Sequence, residues 1–303
     1  MAKKKTPVTV GRRKLELSNL DKVMYPVTGL TKGDVIDYYR AVSKVVLPYL
    51  KNRPLTLKRY PDGVEHGFFY EKRCPRHAPD WIKTVDIRRR KDDTDVPFCV
   101  IDTEAALTWA TNLANLELHT GLARGTSIQR PSWLVFDLDP GEPADISDCA
   151  RVAVIIRDLL AELDLDSYAK TSGSKGMQLY VPLNSGVTYE RTRPFAHGLA
   201  LHLEKEHPDL IVSSMKKEIR GGKVLIDWSQ NSDFKTTVAV YSLRAKERPT
   251  VSTPVSWKEV EAGAKGRSLS FEASDVLKRI EREGDLFEPV LKTKQRLPKF
   301  PEA

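Results

Sequence analysis

Apolar positions along this chain follow two rhythms. Alternating or continuous apolar runs bounded by Gly, Pro or Asp occur in LTLKRYP, GFFYEK, WLVFDLD, YAKTS, MQLYVPL, KVLIDWS and TTVAVYS, and they predict strands. Leu116–Leu118 predicts a further short one. Helical spacing recurs in DTEAALTWATNLA, which opens on an Asp/Thr cap, in ISDCARVAVIIRDLLAELD and in YERTRPFAHGLALHLEKEH. Near the amino end, SNLDKV predicts a short capped helix. A long amphipathic helix is predicted to open near Thr31 and close near Leu50. Two short helices are expected near Trp257–Ala262 and Ala273–Arg282 before a Pro/Lys-rich tail. Residues 1–13 are basic and lack periodicity, which predicts a flexible arm, and Arg88–Asp95 reads as a charged, mobile loop. Strands and helices mix without strict alternation and no repeat period emerges. The expected class is therefore α+β, with mainly antiparallel sheets flanked by helices.

The strand ending LVFDLDPG, Leu134–Gly141, carries two carboxylates one residue apart. Successive strand side chains alternate faces, so Asp137 and Asp139 share a surface. Like charges that close are unfavourable unless a cation or proton lies between them. Ninety residues on, VLIDW delivers Asp227 at another strand end. Three carboxylates without nearby His or Cys at ligand spacing suit Mg²⁺ or Mn²⁺, hard cations that take oxygen donors. Two such ions can activate a hydroxyl and neutralise charge on a reacting phosphorus. Between the acids, Thr171–Gly176 reads TSGSKG, whose glycines let amides turn toward an anion while Ser172 and Lys175 add a hydroxyl and a point charge. The turn leads into a strand and lacks P-loop spacing, so a nucleotide cradle of another type is expected.

The chain has 303 residues, 40% of them hydrophobic, a net charge of +8 and a pI near 9.2. That length suits one large domain or two fused lobes, and the charge favours a polyanionic partner. MAKKK lacks the apolar segment of a secretory signal, and no apolar run approaches the roughly 18 residues of a membrane span. A cytosolic protein without a membrane partner is expected. Cys74, Cys99 and Cys149 are few and scattered, which argues against a disulfide framework. The isolated Cys74-x-x-His77 spacing, with His66 nearby, is too sparse for structural zinc.

FDLDPG, TSGSKGMQLYVPL and VLIDWSQN, in that order, resemble the three motifs of the polymerase domain of bacterial ATP-dependent ligase D, a member of the archaeo-eukaryotic primase superfamily. The likeness runs from LSNLDKVMYP through TTVAVYSLRAKERPTVSTPV. It implies a primase-like catalytic domain over 14–290, with an amino-terminal lobe at 14–125, a core at 126–250, closing helices at 255–290 and a tail at 291–303. It also implies gap filling and end extension in non-homologous end joining, with ribonucleotides preferred over deoxyribonucleotides and two Mn²⁺ or Mg²⁺ ions held by Asp137, Asp139 and Asp227.

By the same resemblance Ser172, Lys175, Lys58, His119 and Arg244 grip the incoming nucleotide. Asn19, Lys22 and Lys32 bind the 5′-phosphate of a gapped or broken duplex, and Phe68 and Phe69 stack on the template. If Phe68 and Phe69 instead pack in a core, one of the two should be buried, since neighbours in a strand face opposite sides. Arg88, Arg89, Arg90 and Lys91 offer a primer contact. Gln178, which the resemblance counts with the nucleotide-binding residues, replaces the His of the usual KGLH pattern and keeps hydrogen bonding without a protonic charge. Ku and a DNA ligase are the implied partners in a bacterial cytosol or nucleoid, and no K-x-D-G adenylation motif is present, so sealing belongs elsewhere. Two rival readings are a non-catalytic end-binding or synapsis module, which would not need all three acids, and a primase that starts chains without a primer. A metal-dependent nuclease would not need the cradle.

Overall fold

The computed structural model describes residues 5–89 and 93–298. The chain starts with a hairpin, β1 (Lys5–Val10) and β2 (Arg13–Ser18), in place of the flexible arm predicted for residues 1–13. Val10, Leu15 and Leu17 anchor it by entering the core. SNLDKV forms no helix: Asn19 takes a left-handed φ of 55° and a turn leads into β3 (Val23–Tyr25), which pairs with β4 (Leu30–Thr31). The long helix predicted over 31–50 is two, α1 (Lys32–Ala41) and α2 (Ser43–Leu50), which separate at Val42 where the backbone leaves the helical region. Thr31 caps α1 through a reciprocal box with Asp34.

The next segments are β5 (Pro54–Arg59), β6 (Phe69–Glu71), β7 (Lys83–Arg89), β8 (Thr94–Val100), α3 (Glu104–Asn112) and β9 (Asn115–Thr120). Of the stretch predicted as a mobile loop at Arg88–Asp95, Arg88 and Arg89 belong to β7 and Thr94 and Asp95 to β8, with Arg88 paired to Asp95 and Arg89 to Thr94. Arg90 and Lys91 lie outside the described residues, as does the side chain of Arg89. The second half holds β10 (Trp133–Pro140), α4 (Ile146–Glu162), β11 (Tyr168–Thr171), β12 (Met177–Pro182), α5 (Tyr189–Glu206), β13 (Ile211–Val212), β14 (Val224–Asp227), β15 (Thr237–Val238), β16 (Pro254–Val255), α6 (Trp257–Gly263), α7 (Ala273–Glu283) and α8 (Pro289–Lys292). Part of the expected tail is tied down: Gln295 bonds the backbone of Asp166, Pro182 and Leu183.

Two six-stranded sheets organise these elements into an α+β fold. One runs β13-β14-β10-β12-β11-β16 and is antiparallel except at β13-β14. The other runs β15-β9-β5-β8-β7, with β6 beside β5, so β15 returns from the second half of the chain to join it. Alternation along β10 divides its two faces. Leu134, Phe136 and Leu138 join a cluster with Ala153 and Ile156 of α4 and Leu199 of α5, while Trp133 and Val135 join the cluster that fills the first half. Asp137 and Asp139 follow Val135 on that second face, where apolar cover ends.

The scattered cysteines do not all stay free, contrary to the expectation of no disulfide framework. Cys74 and Cys99 are bonded across a separation of 25 residues. The link forms because the Cys74 amide donates to the Pro97 carbonyl, laying the loop against β8. Cys149 is free and buried. Among the described residues no helix is long and apolar enough to cross a membrane.

Candidate active site

Strand register gathers the acids. Asp137 on β10 lies directly opposite Asp227 on β14, and Asp139 follows on the same face. Burial, and then the charge of Asp139, pushes the Asp137 carboxyl up to about 7. Asp139 is raised by burial and by Asp227. In both, a neighbouring carboxylate adds to the effect of burial. Asp227 is held by its own turn: one oxygen accepts from the Ser229 amide at 2.9 Å and its hydroxyl at 2.6 Å, and the other accepts from Gln230 at 3.1 Å. Among the described residues no group of three or more His, Cys, Asp and Glu side chains forms a ready metal cluster. The donors nonetheless fit hard divalent ions: all are carboxylate oxygens, and the crowding of Asp137 and Asp139 is what a dication relieves.

The TSGSKG turn sits beside this edge. Ser172 closes the turn, its hydroxyl accepting from the amides of Ser174 and Gly176 at 3.2 Å each. Gly173 has φ +67°, and a Cβ there would come within 2.7 Å of Arg244 Cγ and the Ser252 nitrogen, so only glycine lets Arg244 lie across the turn. Arg244 then donates to the Ser172 carbonyl at 2.5 Å. Lys175 is exposed and pairs with Glu142 at 2.5 Å.

On the facing sheet, Lys58 of β5 and His119 of β9 are drawn together by a residue the sequence did not single out. Glu117, 1% exposed, accepts from Lys58 at 3.0 Å, meets His119 Nε2 at 2.8 Å, lies 3.3 Å from Arg244 Nε and takes the Ala245 amide at 3.1 Å. Burial alone would raise its pKa, but His119, Arg244 and Lys58 hold the carboxyl well below the usual range. His119 is itself lowered by burial, against the pull of Glu117. Four nucleotide-binding candidates, Lys58, His119, Arg244 and Ser172, thus converge.

Phe68 and Phe69 are 50% and 43% exposed, so the expectation that core packing would bury one of them is not met. Phe68 packs on Tyr60 and lies under the Lys58 ammonium at 4.5 Å, while Phe69 lies under Arg59. The Asn19–Lys22 turn packs on the start of α1 through Lys32 N to Lys22 O (2.8 Å), so Asn19, Lys22 and Lys32 form one corner. Lys22 pairs with Asp62 at 2.5 Å. Lys32 is buried and donates to the Ser18 carbonyl at 2.6 Å.

A groove of about 690 Å³ extends from this face, lined among others by Thr56, Lys72, Arg88, Phe98, Phe234 and Lys235. Lys235 bonds the Ser229 hydroxyl and lies 3.9 Å from Asp227, so the groove borders the acidic edge. Arg88 itself pairs with Asp93 and Asp95.

The family model described as LigD, primase-polymerase domain, matches residues 31–287. The multifunctional non-homologous end joining protein LigD of Mycobacterium bovis is 42% identical over 288 residues, which cover 92% of this chain and 37% of that protein. The bifunctional LigD of Bacillus subtilis is 34% identical over 272 residues, 89% of this chain and 43% of its own. The chain thus spans about two fifths of the length of these relatives. Among solved structures, the polymerase domain of Mycobacterium tuberculosis ligase D in complex with DNA superimposes with a TM-score of 0.86 at 39% identity, covering 93% of this chain and 99% of that one.

Proposed function

The chain belongs to the LigD primase-polymerase domain family and is a DNA-directed nucleotidyltransferase, and from that premise we propose that it fills gaps and extends ends, ribonucleotides preferred, during non-homologous end joining. The observation that carries this reading is the register that sets Asp137 against Asp227 with Asp139 on the same face. These three would hold two Mn²⁺ or Mg²⁺ ions, which supply activation of a 3′-hydroxyl and charge neutralisation at the phosphorus. Lys58, His119 and Arg244, ordered by Glu117, orient the triphosphate above the TSGSKG turn, where Ser172 and Lys175 complete the grip. Phe68 and Phe69 offer exposed ring faces to template bases. Asn19, Lys22 and Lys32 receive the 5′-phosphate beyond the gap. The groove bordered by Arg88 and Lys235 takes the strand being extended, its cations suiting phosphate and its aromatics suiting bases. Ku and a separate ligase activity are the expected partners in the bacterial cytosol.

The test is extension of a gapped, 5′-phosphorylated duplex with labelled NTPs or dNTPs and either Mn²⁺ or Mg²⁺. Asp137→Ala is expected to abolish extension while leaving duplex binding in place. Extension that survives Asp137→Ala refutes the catalytic reading and favours the end-binding module.

A further inference from the structure

Lys170 is fully buried on β11, an unusual place for an amine because charge is costly to remove from water, and burial lowers its pKa to about 7. Its Nζ reaches two neutral oxygens, Gln178 Oε1 and Ser252 Oγ, both at 2.6 Å. Ser252 donates its hydroxyl proton to the Thr171 carbonyl at 2.9 Å, so toward Lys170 it presents a lone pair. Register explains the placement. Lys170 lies opposite Gln178, Gln178 opposite Asp137 and Asp137 opposite Asp227, so one rung crosses four adjacent strands as amine, amide, carboxyl, carboxyl.

Both ends of this rung fix the amide in the middle. Lys170 donates to it, so Gln178 presents its oxygen there and turns its amide nitrogen toward Asp137, which lies directly opposite and which it hydrogen-bonds. We infer that Lys170 is a positioning residue for the acidic edge: through Gln178 it fixes how the Asp137 carboxylate is presented to a divalent ion. The inference rests on the proposed metal role of Asp137. The partners that hydrogen-bond a metal-ligating carboxylate commonly alter affinity or activity roughly 10- to 100-fold when removed. The Gln178 in place of the family His fits the same geometry, since an amide accepts on one side while donating on the other.

The test is a double-mutant cycle of Lys170→Met, Gln178→Met and the pair, read out by Mn²⁺ titration with electron paramagnetic resonance on the full chain without nucleotide, alongside Tm and extension rate. Lys170→Met is expected to weaken Mn²⁺ binding roughly 10- to 100-fold, with Tm held because an apolar side chain of similar length replaces a buried charge. In the Gln178→Met background it should add almost nothing. Fully additive losses, or tighter Mn²⁺ binding in Lys170→Met from lost repulsion, overturn the inference. If Lys170→Met does not fold, Gln178→Met alone must reproduce the weakened binding, and unchanged binding in it is equally fatal. Asp137→Ala separates the two levels. Mn²⁺ binding unaffected by it sinks the metal reading itself, whereas loss in Asp137→Ala with none in Lys170→Met sinks only the role of Lys170.

Discussion

Replacing Glu117 with Gln keeps the side-chain shape and removes one buried charge. In the wild type that charge faces Lys58, His119 and Arg244, all within 3.3 Å, and Glu117 is almost wholly shielded from solvent. Removing one partner of a buried ion pair costs about 3–5 kcal/mol, and because glutamine still accepts from Lys58 and the Ala245 amide the lower end, ~3 kcal/mol, applies. With an unfolding entropy of about 2.1 cal/mol/K per residue over 303 residues, that lowers Tm by about 5 °C at pH 7. The sign with pH follows from the depressed carboxyl of the folded state. Its stabilisation is fully present above the unfolded glutamate pKa of about 4.3 and drains away as pH falls toward the folded value. Thermal melts of wild type and Glu117→Gln should therefore differ most above pH 5 and converge in acid. In nucleotide titrations of extension, misdirecting one charge-assisted phosphate contact, ~1.5–3 kcal/mol, raises KM roughly tenfold or more. A Tm gap that ignores pH, or a KM that falls, refutes the assignment of Glu117 as organiser of the cradle.

Lys22→Ala should remove the preference for a 5′-phosphorylated over a hydroxyl-ended gap, measured by competition binding with the two duplexes; equal loss on both refutes the phosphate assignment. Gly173→Ala should destabilise the chain by more than ~1 kcal/mol, because its positive φ and the crowding by Arg244 both penalise a Cβ. It should also raise nucleotide KM, and a variant with wild-type melt and KM would show that the turn does not need glycine.

Features written in consecutive residues were legible in the sequence. β10 announced its acids because period-two alternation put Asp137 and Asp139 on one face, and TSGSKG announced a tight turn because its glycines are local signals. Lys58, His119 and Arg244 required the resemblance, since nothing near each of them points to a shared target. Glu117 was hidden for the same reason: its partners are brought in by pairing with β5 and by a return of the chain about 130 residues later. The Cys74–Cys99 link was equally non-local. The amino-terminal hairpin is written in Val8, Val10, Leu15 and Leu17, which alternate around Gly11-Arg12, but the cationic composition of residues 1–13 masks that alternation. The break at Val42 was not legible, because apolar spacing continues across it and only the backbone departs.

The proposed acid edge and phosphate grip are not backed by separate interiors: Asp137 and Asp139 follow Trp133 and Val135, which join the same cluster as Leu57 and Leu118 beside Lys58 and His119. A change in that shared filling shifts both at once, and Arg244, spanning from Glu117 to Ser172, is the strut that keeps their spacing constant.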